Sequence, residues 1–344
     1  MAQINVIGTI TGTTGYDVHT RQLVNALNKV AEVRLTAQIR EQEVLNLNDE
    51  ELVMLKRKPT NDEINLIITN PLLWRVNLGK RNWVYLIWEG DRLPKHIEEE
   101  CNNERIEKII VPSKHTLNVV PESARHKTVL IPHGVNLDIF KPEKKPEKFT
   151  FLANKGFRHL EDRGGIQYLL KAYLEEFKKE DNVNLIIKIN PAYGVPNFEE
   201  LLKDPFFPQE CTAPLNIDVG SYKYEDLVNL YNKAHVFISP TRAESFNLPC
   251  LEALACGLPV LTTKYGGQTD YVNEKNGWII DGHLESIKHE ILYEGIKWLT
   301  PDIEMLKKTM RQAVIDYESK VEEAIKSAQG LTWSNTADKI VNLI

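Results

Sequence analysis

Two glutamates, Glu244 and Glu252, stand eight positions apart in the run ESFNLPCLE. The residues between them suit a loop turning into a helix. Pro249 fits a first helical turn because it lacks an amide hydrogen, and residues 253–257 close on a glycine that suits a C-cap. The preceding residues 235–240, HVFISP, read as a strand. A strand, loop and helix start in this order leave the amides of Ser245, Phe246, Asn247 and Leu248 near the positive end of a helix dipole, where an anion is stabilised. Carboxylates before and after that position can accept hydrogen bonds from hydroxyls on either side of a bound diphosphate. The pattern therefore implies a ligand made of a sugar, a diphosphate and a ribose.

The elements that must position this unit recur along the 344 residues. In the first half, apolar strand-like runs at 4–8, 33–37, 64–69, 83–88, 108–112 and 128–131 alternate with helical patterns such as 22–30 and 94–102. The second half repeats the alternation, with strands at 149–153, 183–189, 215–219, 235–239, 260–263 and 278–280. This predicts an α/β protein with two parallel-sheet domains. The charged, proline-broken stretch 141–148, KPEKKPEK, reads as a linker, so the first domain is expected at 1–143 and the second at 144–328. Helical spacing over 301–327 precedes a last helix within 329–344, with Thr332 or Ser334 as its cap.

Composition narrows the function further. With 42% hydrophobic and 26% charged residues the chain can bury a large core, and its net charge of −6 with no strongly basic half argues against nucleic acid as a partner. No run of about 18 apolar residues is present, and the opening MAQINVIG reads as a strand, not a leader. A cytoplasmic protein is expected, with Lys56, Arg57, Lys58, Arg75, Lys80 and Arg81 as a possible peripheral membrane contact. Cys101, Cys211, Cys250 and Cys256 show no CxxC spacing and read as buried free thiols. No Asp-x-Asp pair, HExxH or Cys/His cluster offers a metal site, and no GxSxG or Walker lysine loop supports a hydrolase or NTPase, so no metal is expected.

The stretch 239–272, SPTRAESFNLPCLEALACGLPVLTTKYGGQTDYV, resembles the signature of the family four retaining glycosyltransferases. Similar segments run along most of the chain: TGYDVHTRQLVNAL near the start, WEGDRLP, VPS and IPHGV in the middle, and WSNTADKIVNLI at the end. The resemblance implies the GT-B fold, two Rossmann-like domains facing a central cleft, with the last helix crossing back to the first domain. It implies sugar transfer, with retention and without metal, from a UDP-, GDP- or ADP-linked donor on domain two to a glycan, lipid-linked or small-molecule acceptor on domain one. No cofactor is implied, because the nucleotide sugar is a substrate. In the resembled family Glu252 would bind the ribose hydroxyls and Glu244 would orient the donor sugar. Nucleoside-base contacts are expected from loop backbone near Gly220 to Tyr222.

The same resemblance implies an Arg and a Lys about five positions apart that grip the leaving diphosphate. Arg158 and Arg163 have this spacing in NKGFRHLEDRGG, with Arg163 standing where Lys is usual. Arg presents a planar fork and Lys a point charge, and with Lys155 also near, which cation meets which phosphate stays open. Glu89, in WEGDRLP, stands where many members carry a histidine. It could bind sugar hydroxyls or accept the acceptor's proton, or instead pair with Arg92 or cap the following helix. Gly8, Gly12 and Gly15 follow the first strand, but their spacing departs from GxGxxG and no acidic residue ends the second strand, which disfavours a nicotinamide cofactor. The resemblance places this loop, Gly15 above all, beside the donor phosphates. His19 reads as a packed or solvated residue, and His133 as structural or cleft-lining. A nucleotide-sugar epimerase or phosphorylase of the same fold, or a non-catalytic nucleotide-sugar binding protein, are the alternative readings.

Overall fold

Near-continuous apolar runs, buried on both faces, are what a parallel sheet requires. The computed structural model describes residues 2–38, 47–60, 62–288 and 291–344. In it, β1 (Gln3–Gly8), β2 (Glu32–Ala37), β3 (Ile64–Ile68), β4 (Arg81–Tyr85), β5 (Ile106–Val111) and β6 (Thr128–Leu130) form one parallel sheet, in the order β2-β1-β3-β4-β5-β6. A second parallel sheet contains β7 (Phe149–Lys155), β8 (Val183–Ile189), β9 (Leu215–Val219), β10 (Val236–Ser239), β11 (Val260–Thr263) and β12 (Gly277–Ile280). Its order is β12-β11-β10-β7-β8-β9. The helices are α1 (Gly15–Leu27), α2 (Asp49–Lys56), α3 (Lys95–Cys101), α4 (Lys114–Val119), α5 (Ile166–Glu176), α6 (Phe198–Leu201), α7 (Leu227–Tyr231), α8 (Leu248–Ala255), α9 (Ile303–Asp316), α10 (Glu318–Gln329) and α11 (Trp333–Val341).

The second sheet's order places the functional loops. Strands β7 and β10 are neighbours, but β8 lies beyond β7 and β11 beyond β10, so the chain leaves these two strands toward opposite sides. A crevice opens outside the carboxyl ends of strands at such a reversal. Lys155 is the last residue of β7, and Ser239, the last of β10, leads into the loop that carries Glu244.

The chain divides into two units, Met1–Asn136 with Lys288–Ile296 and Leu331–Ile344, and Leu137–Ile287 with Lys297–Gly330. The division falls before residue 143 because the stretch expected as a linker is tied to the second unit. Phe140 packs edge-on against Tyr224 and Tyr231, Asn232 Nδ2 donates to Lys141 O at 3.0 Å, and Lys145 Nζ donates to Cys256 O at 3.1 Å. Residues 288–296 group with the first unit, where Ile296 is buried in a core with Trp74, Val84, Trp88 and Ile109. The second core joins Phe151, Leu185, Ile187 and Val236 to Leu169 and Tyr173 of α5 and Leu306 and Met310 of α9. Each such apolar side chain contributes about 1.5–3 kcal/mol of transfer free energy.

Three further features differ from the sequence expectation. An antiparallel hairpin, β13 (Gly282–Ser286) and β14 (Lys297–Pro301), was not legible because β13 is exposed from its second residue on and has no apolar run. The helical spacing over 301–327 belongs to two helices that meet at Tyr317. Cys211 is exposed, whereas the other three thiols are buried and free. Thr332 is the residue that caps α11, its side chain accepting from Asn335 N at 3.1 Å. Among the described residues no helix is long and apolar enough to cross a membrane.

Candidate functional site

The loop between β10 and α8 is held by Tyr271, whose hydroxyl lies within 2.8 Å of the carbonyl oxygens of Phe246 and Asn247 and shares its one proton between them. A trans peptide sets its C=O and N–H on opposite sides, so the amides of Asn247 and Leu248 point away from that hydroxyl. Asn247 is the N-cap of α8 with φ 71°, a left-handed conformation that Asn tolerates better than most residues, and Pro249 follows in the first turn. The Asn247 side chain does not cap the helix. It accepts from Lys155 Nζ at 2.7 Å and donates to Ser239 Oγ at 2.9 Å. Ser245 and Phe246 are buried, the Phe246 ring lying 5.0 Å from that of Tyr271.

Glu244 sits between two cations. Lys155 Nζ donates to its Oε1 at 2.8 Å, and Arg163 Nη1 lies 3.4 Å from its Oε2 while donating to Ala243 O at 2.8 Å. Burial alone would push the Glu244 carboxyl up, but Lys155 and Arg163 together hold it below the usual carboxylate value. Arg158 is placed differently. It is exposed, and its Nε lies 3.8 Å from Asp162 Oδ2, so the two cations that reach Glu244 are Lys155 and Arg163, not the spaced arginine pair. Lys155 gains this place as the last residue of β7, beside β10 across the sheet reversal.

Glu252 is buried in α8, and Tyr231 donates to its Oε2 at 2.6 Å, itself accepting from Asn154 Nδ2 at 3.3 Å. Burial pushes the Glu252 carboxyl up to about 7, against the opposing effects of Tyr231, Lys188 and Lys155. Lys188 pairs in register with Asn154 on one side and Asp218 on the other, and burial lowers its ammonium to about 8. Tyr231 and Lys188 lie in none of the sequence motifs, and Asn154 and Tyr271, though they fall inside NKGFRHLEDRGG and the 239–272 stretch, were given no role there. Gly220 follows β9, donates to Ile189 O at 3.2 Å, and approaches the Tyr222 ring so closely that a Cβ would lie 3.0 Å from it.

In the first unit the glycine loop folds around Asp17, whose carboxylate accepts from the amides of Gly12 and Thr14, both at 3.1 Å, and Gly15 is the exposed first residue of α1. His19 is fully buried, its ring 4.1 Å from that of His133, 4.5 Å from Tyr85 and 5.6 Å from Trp333 of α11. Among the described residues neither His19 ring nitrogen has a hydrogen-bond partner. Burial, then His133, lowers its pKa well below the ordinary value, and burial lowers His133 to about 3.

Glu89 is half-buried and accepts from Tyr293 OH at 2.8 Å, a contact across 204 positions. Pro94 is the N-cap of α3, and Arg92 donates to Gly295 O. Tyr293 also stacks on Trp88 at 5.0 Å, and a Cβ on Gly90 would fall 2.2 Å from Ile296 Cγ2, so glycine is what lets residues 291–296 lie against this loop. In the basic patch, Arg57 donates to Asn28 Oδ1 at 2.8 Å, and Arg75 and Arg81 pair with Glu100 and Glu107. Half of those cations are thus engaged within the unit. Among the described residues no His, Cys, Asp and Glu side chains group to hold a metal ion.

The model of the family described as glycosyl transferases group 1 matches residues 137–313, half of the chain. The chain belongs to that family. A relative named a probable sucrose-phosphate synthase, from Thermosipho melanesiensis, is 25% identical over 235 residues, 66% of this chain and 49% of the relative. The chain spans about half the length of the curated relatives it matches, or less. Among solved structures, sucrose-phosphate synthase from Thermosynechococcus elongatus covers 100% of this chain and 98% of its own at TM-score 0.70 and 16% identity. Anabaena HepE in complex with UDP and glucose covers 100% and 99% at TM-score 0.65 and 13% identity. These likenesses and the two six-stranded parallel sheets give the group 1 chain the GT-B fold.

Proposed function

We propose that the chain transfers a glycosyl group from a nucleoside-diphospho-sugar to a hydroxyl acceptor, with retention at the anomeric carbon and without a divalent metal. The observation that carries this reading is the Glu244 carboxylate held between Lys155 and Arg163 where two strands diverge, with the buried Glu252 eight residues on. Ionised Glu252, fixed by Tyr231, accepts from the ribose hydroxyls. The amides of Asn247 and Leu248, with Lys155 and Arg163, neutralise the charge that develops on the leaving diphosphate, so positioned dipoles and fixed cations supply what a metal otherwise would. Arg158, being exposed, is a group that can swing onto the outer phosphate. Glu244 orients the donor sugar, and Gly15 leaves room for ligand beside the α1 terminus.

The bond from the anomeric carbon to the phosphate oxygen breaks as the bond to the acceptor oxygen forms on the same face. The acceptor's proton passes to the departing phosphate oxygen, which balances the step without a protein nucleophile. Glu89 of the first unit, held by Tyr293, is proposed to bind the acceptor hydroxyls. The family membership supports sugar transfer, and the complex of HepE with UDP and glucose makes a UDP-linked donor the first to try. Thermal-shift and calorimetric titration with UDP, GDP and ADP, followed by transfer assays with and without EDTA and NMR of the product anomer, test the reading. Absence of binding by all three nucleotides would refute it, and activity abolished by EDTA and restored by magnesium or manganese would refute its metal-free part.

A further inference from the structure

Arg163 and Glu244 lie on separate loops, and a third residue joins them. Arg242 is 2% exposed. Its backbone amide donates to Arg163 O at 2.9 Å and its Nη1 donates to Glu161 O at 3.2 Å, so it grips the 158–163 loop at two carbonyls. Arg163 answers in the other direction, donating to Ala243 O at 2.8 Å. Gly165, with φ +77°, lets this loop press closer still, since a Cβ there would fall 2.0 Å from Pro240 O.

The far side of Arg242 is anchored as firmly. Leu299 N donates to Arg242 O at 2.8 Å, and Arg242 Nη2 donates to Glu285 Oε2 at 3.0 Å and Thr300 Oγ1 at 3.3 Å, all on the β13–β14 hairpin. Its guanidinium carbon lies 5.8 Å and 5.6 Å from the rings of Tyr168 and Trp298. Burying a guanidinium is costly, and Glu285, with its side chain 54% exposed, offsets that cost only in part. An apolar residue of similar volume would fill the space at less cost. What it could not do is reach a carbonyl, a carboxylate and a hydroxyl at once, which the planar fork of an arginine does.

We propose that Arg242 is a positioning residue for the diphosphate grip: it staples the 158–163 loop to the Glu244 loop and so fixes the Arg163 guanidinium to meet the terminal phosphate of a nucleoside diphosphate. The inference rests on the proposed nucleotide-sugar function. A nucleoside monophosphate lacks that terminal phosphate and does not need Arg163 so placed.

The test is calorimetric titration of the full chain with the pairs UDP and UMP, GDP and GMP, and ADP and AMP. Arg242→Met should weaken diphosphate binding about tenfold or more while changing monophosphate binding by less than about twofold, the scale of losing a hydrogen bond to a charged group at one phosphate only. Arg242→Lys should restore part of the preference. Should Arg242→Met fail to fold, Arg242→Lys and Glu285→Gln carry the measurement, each with a smaller loss of diphosphate preference. An unchanged ratio of diphosphate to monophosphate affinity in these variants, or equal weakening of both, would overturn the proposal and leave Arg242 a packing residue. Wild-type protein that binds none of the six nucleotides would instead refute the nucleotide-sugar function and this proposal with it.

Discussion

Lys155→Met removes a charge from the centre of the site while keeping the apolar stem. It deletes two hydrogen bonds, at 2.8 Å to Glu244 Oε1 and 2.7 Å to Asn247 Oδ1. Breaking a buried ion pair costs about 3–5 kcal/mol when the remaining charge is left alone. Here the Glu244 side chain is 17% exposed and keeps Arg163 at 3.4 Å. The expected loss is therefore smaller, about 2 kcal/mol. For a unit of this size that lowers Tm by about 4–8 °C. The pH dependence has a definite sign. Lys155 and Arg163 hold the Glu244 carboxyl below its ordinary value of 4.5 against the opposite effect of burial, so the pair's stabilisation is present above that value and is lost as pH falls through the folded one. The deficit of Lys155→Met should thus be largest at neutral pH and shrink in acid. Calorimetric melting from pH 3.5 to 8 measures this, and an unchanged Tm at pH 7.5, or a deficit that grows in acid, would refute the assignment.

Because burial raises Glu252 to about 7, nucleoside diphosphate affinity should rise as pH increases through 7 and then level off, as the ionised carboxylate becomes available to the ribose. Glu252→Gln should flatten that rise in a calorimetric pH series, and a rise retained in the variant would remove Glu252 from the ribose contact. Tyr293→Phe keeps the ring stacked on Trp88 but deletes the 2.8 Å hydrogen bond to Glu89, so transfer should fall about tenfold with diphosphate affinity unchanged. Wild-type transfer in that variant would count against Glu89 as an acceptor-side group. His19 and His133 are buried neutral, so their contribution to stability is complete above the unfolded value of 6.5 and is lost as pH falls below it, at up to about 1.4 kcal/mol per pH unit for each. His19→Phe should make the decline in stability between pH 6 and 4 shallower, and an identical acid slope by urea titration would contradict this.

The parallel strands could be read locally because a strand buried on both faces must be apolar nearly throughout, and runs such as Val183–Ile189 and Val260–Thr263 match the structure residue for residue. The start of α8 was equally legible, since Pro249 and the left-handed Asn247 make their choices within one turn of chain. The hairpin β13–β14 was not, because its exposed face imposes no apolar pattern. The spacing of Arg158 and Arg163 suggested a matched pair, yet only Arg163 reaches Glu244.

The sequence by itself determined the alternation of strands and helices, the two carboxylates and the loop between them, each set by neighbours a few residues away. The tertiary structure alone decided that Lys155 would meet Glu244 across 89 positions and Tyr293 would meet Glu89 across 204. Those meetings depend on strand order and on where residues 291–296 come to rest. Sheet order follows from how whole faces pack against one another, and the burial of one face constrains which residues are apolar without naming the distant partner that covers them.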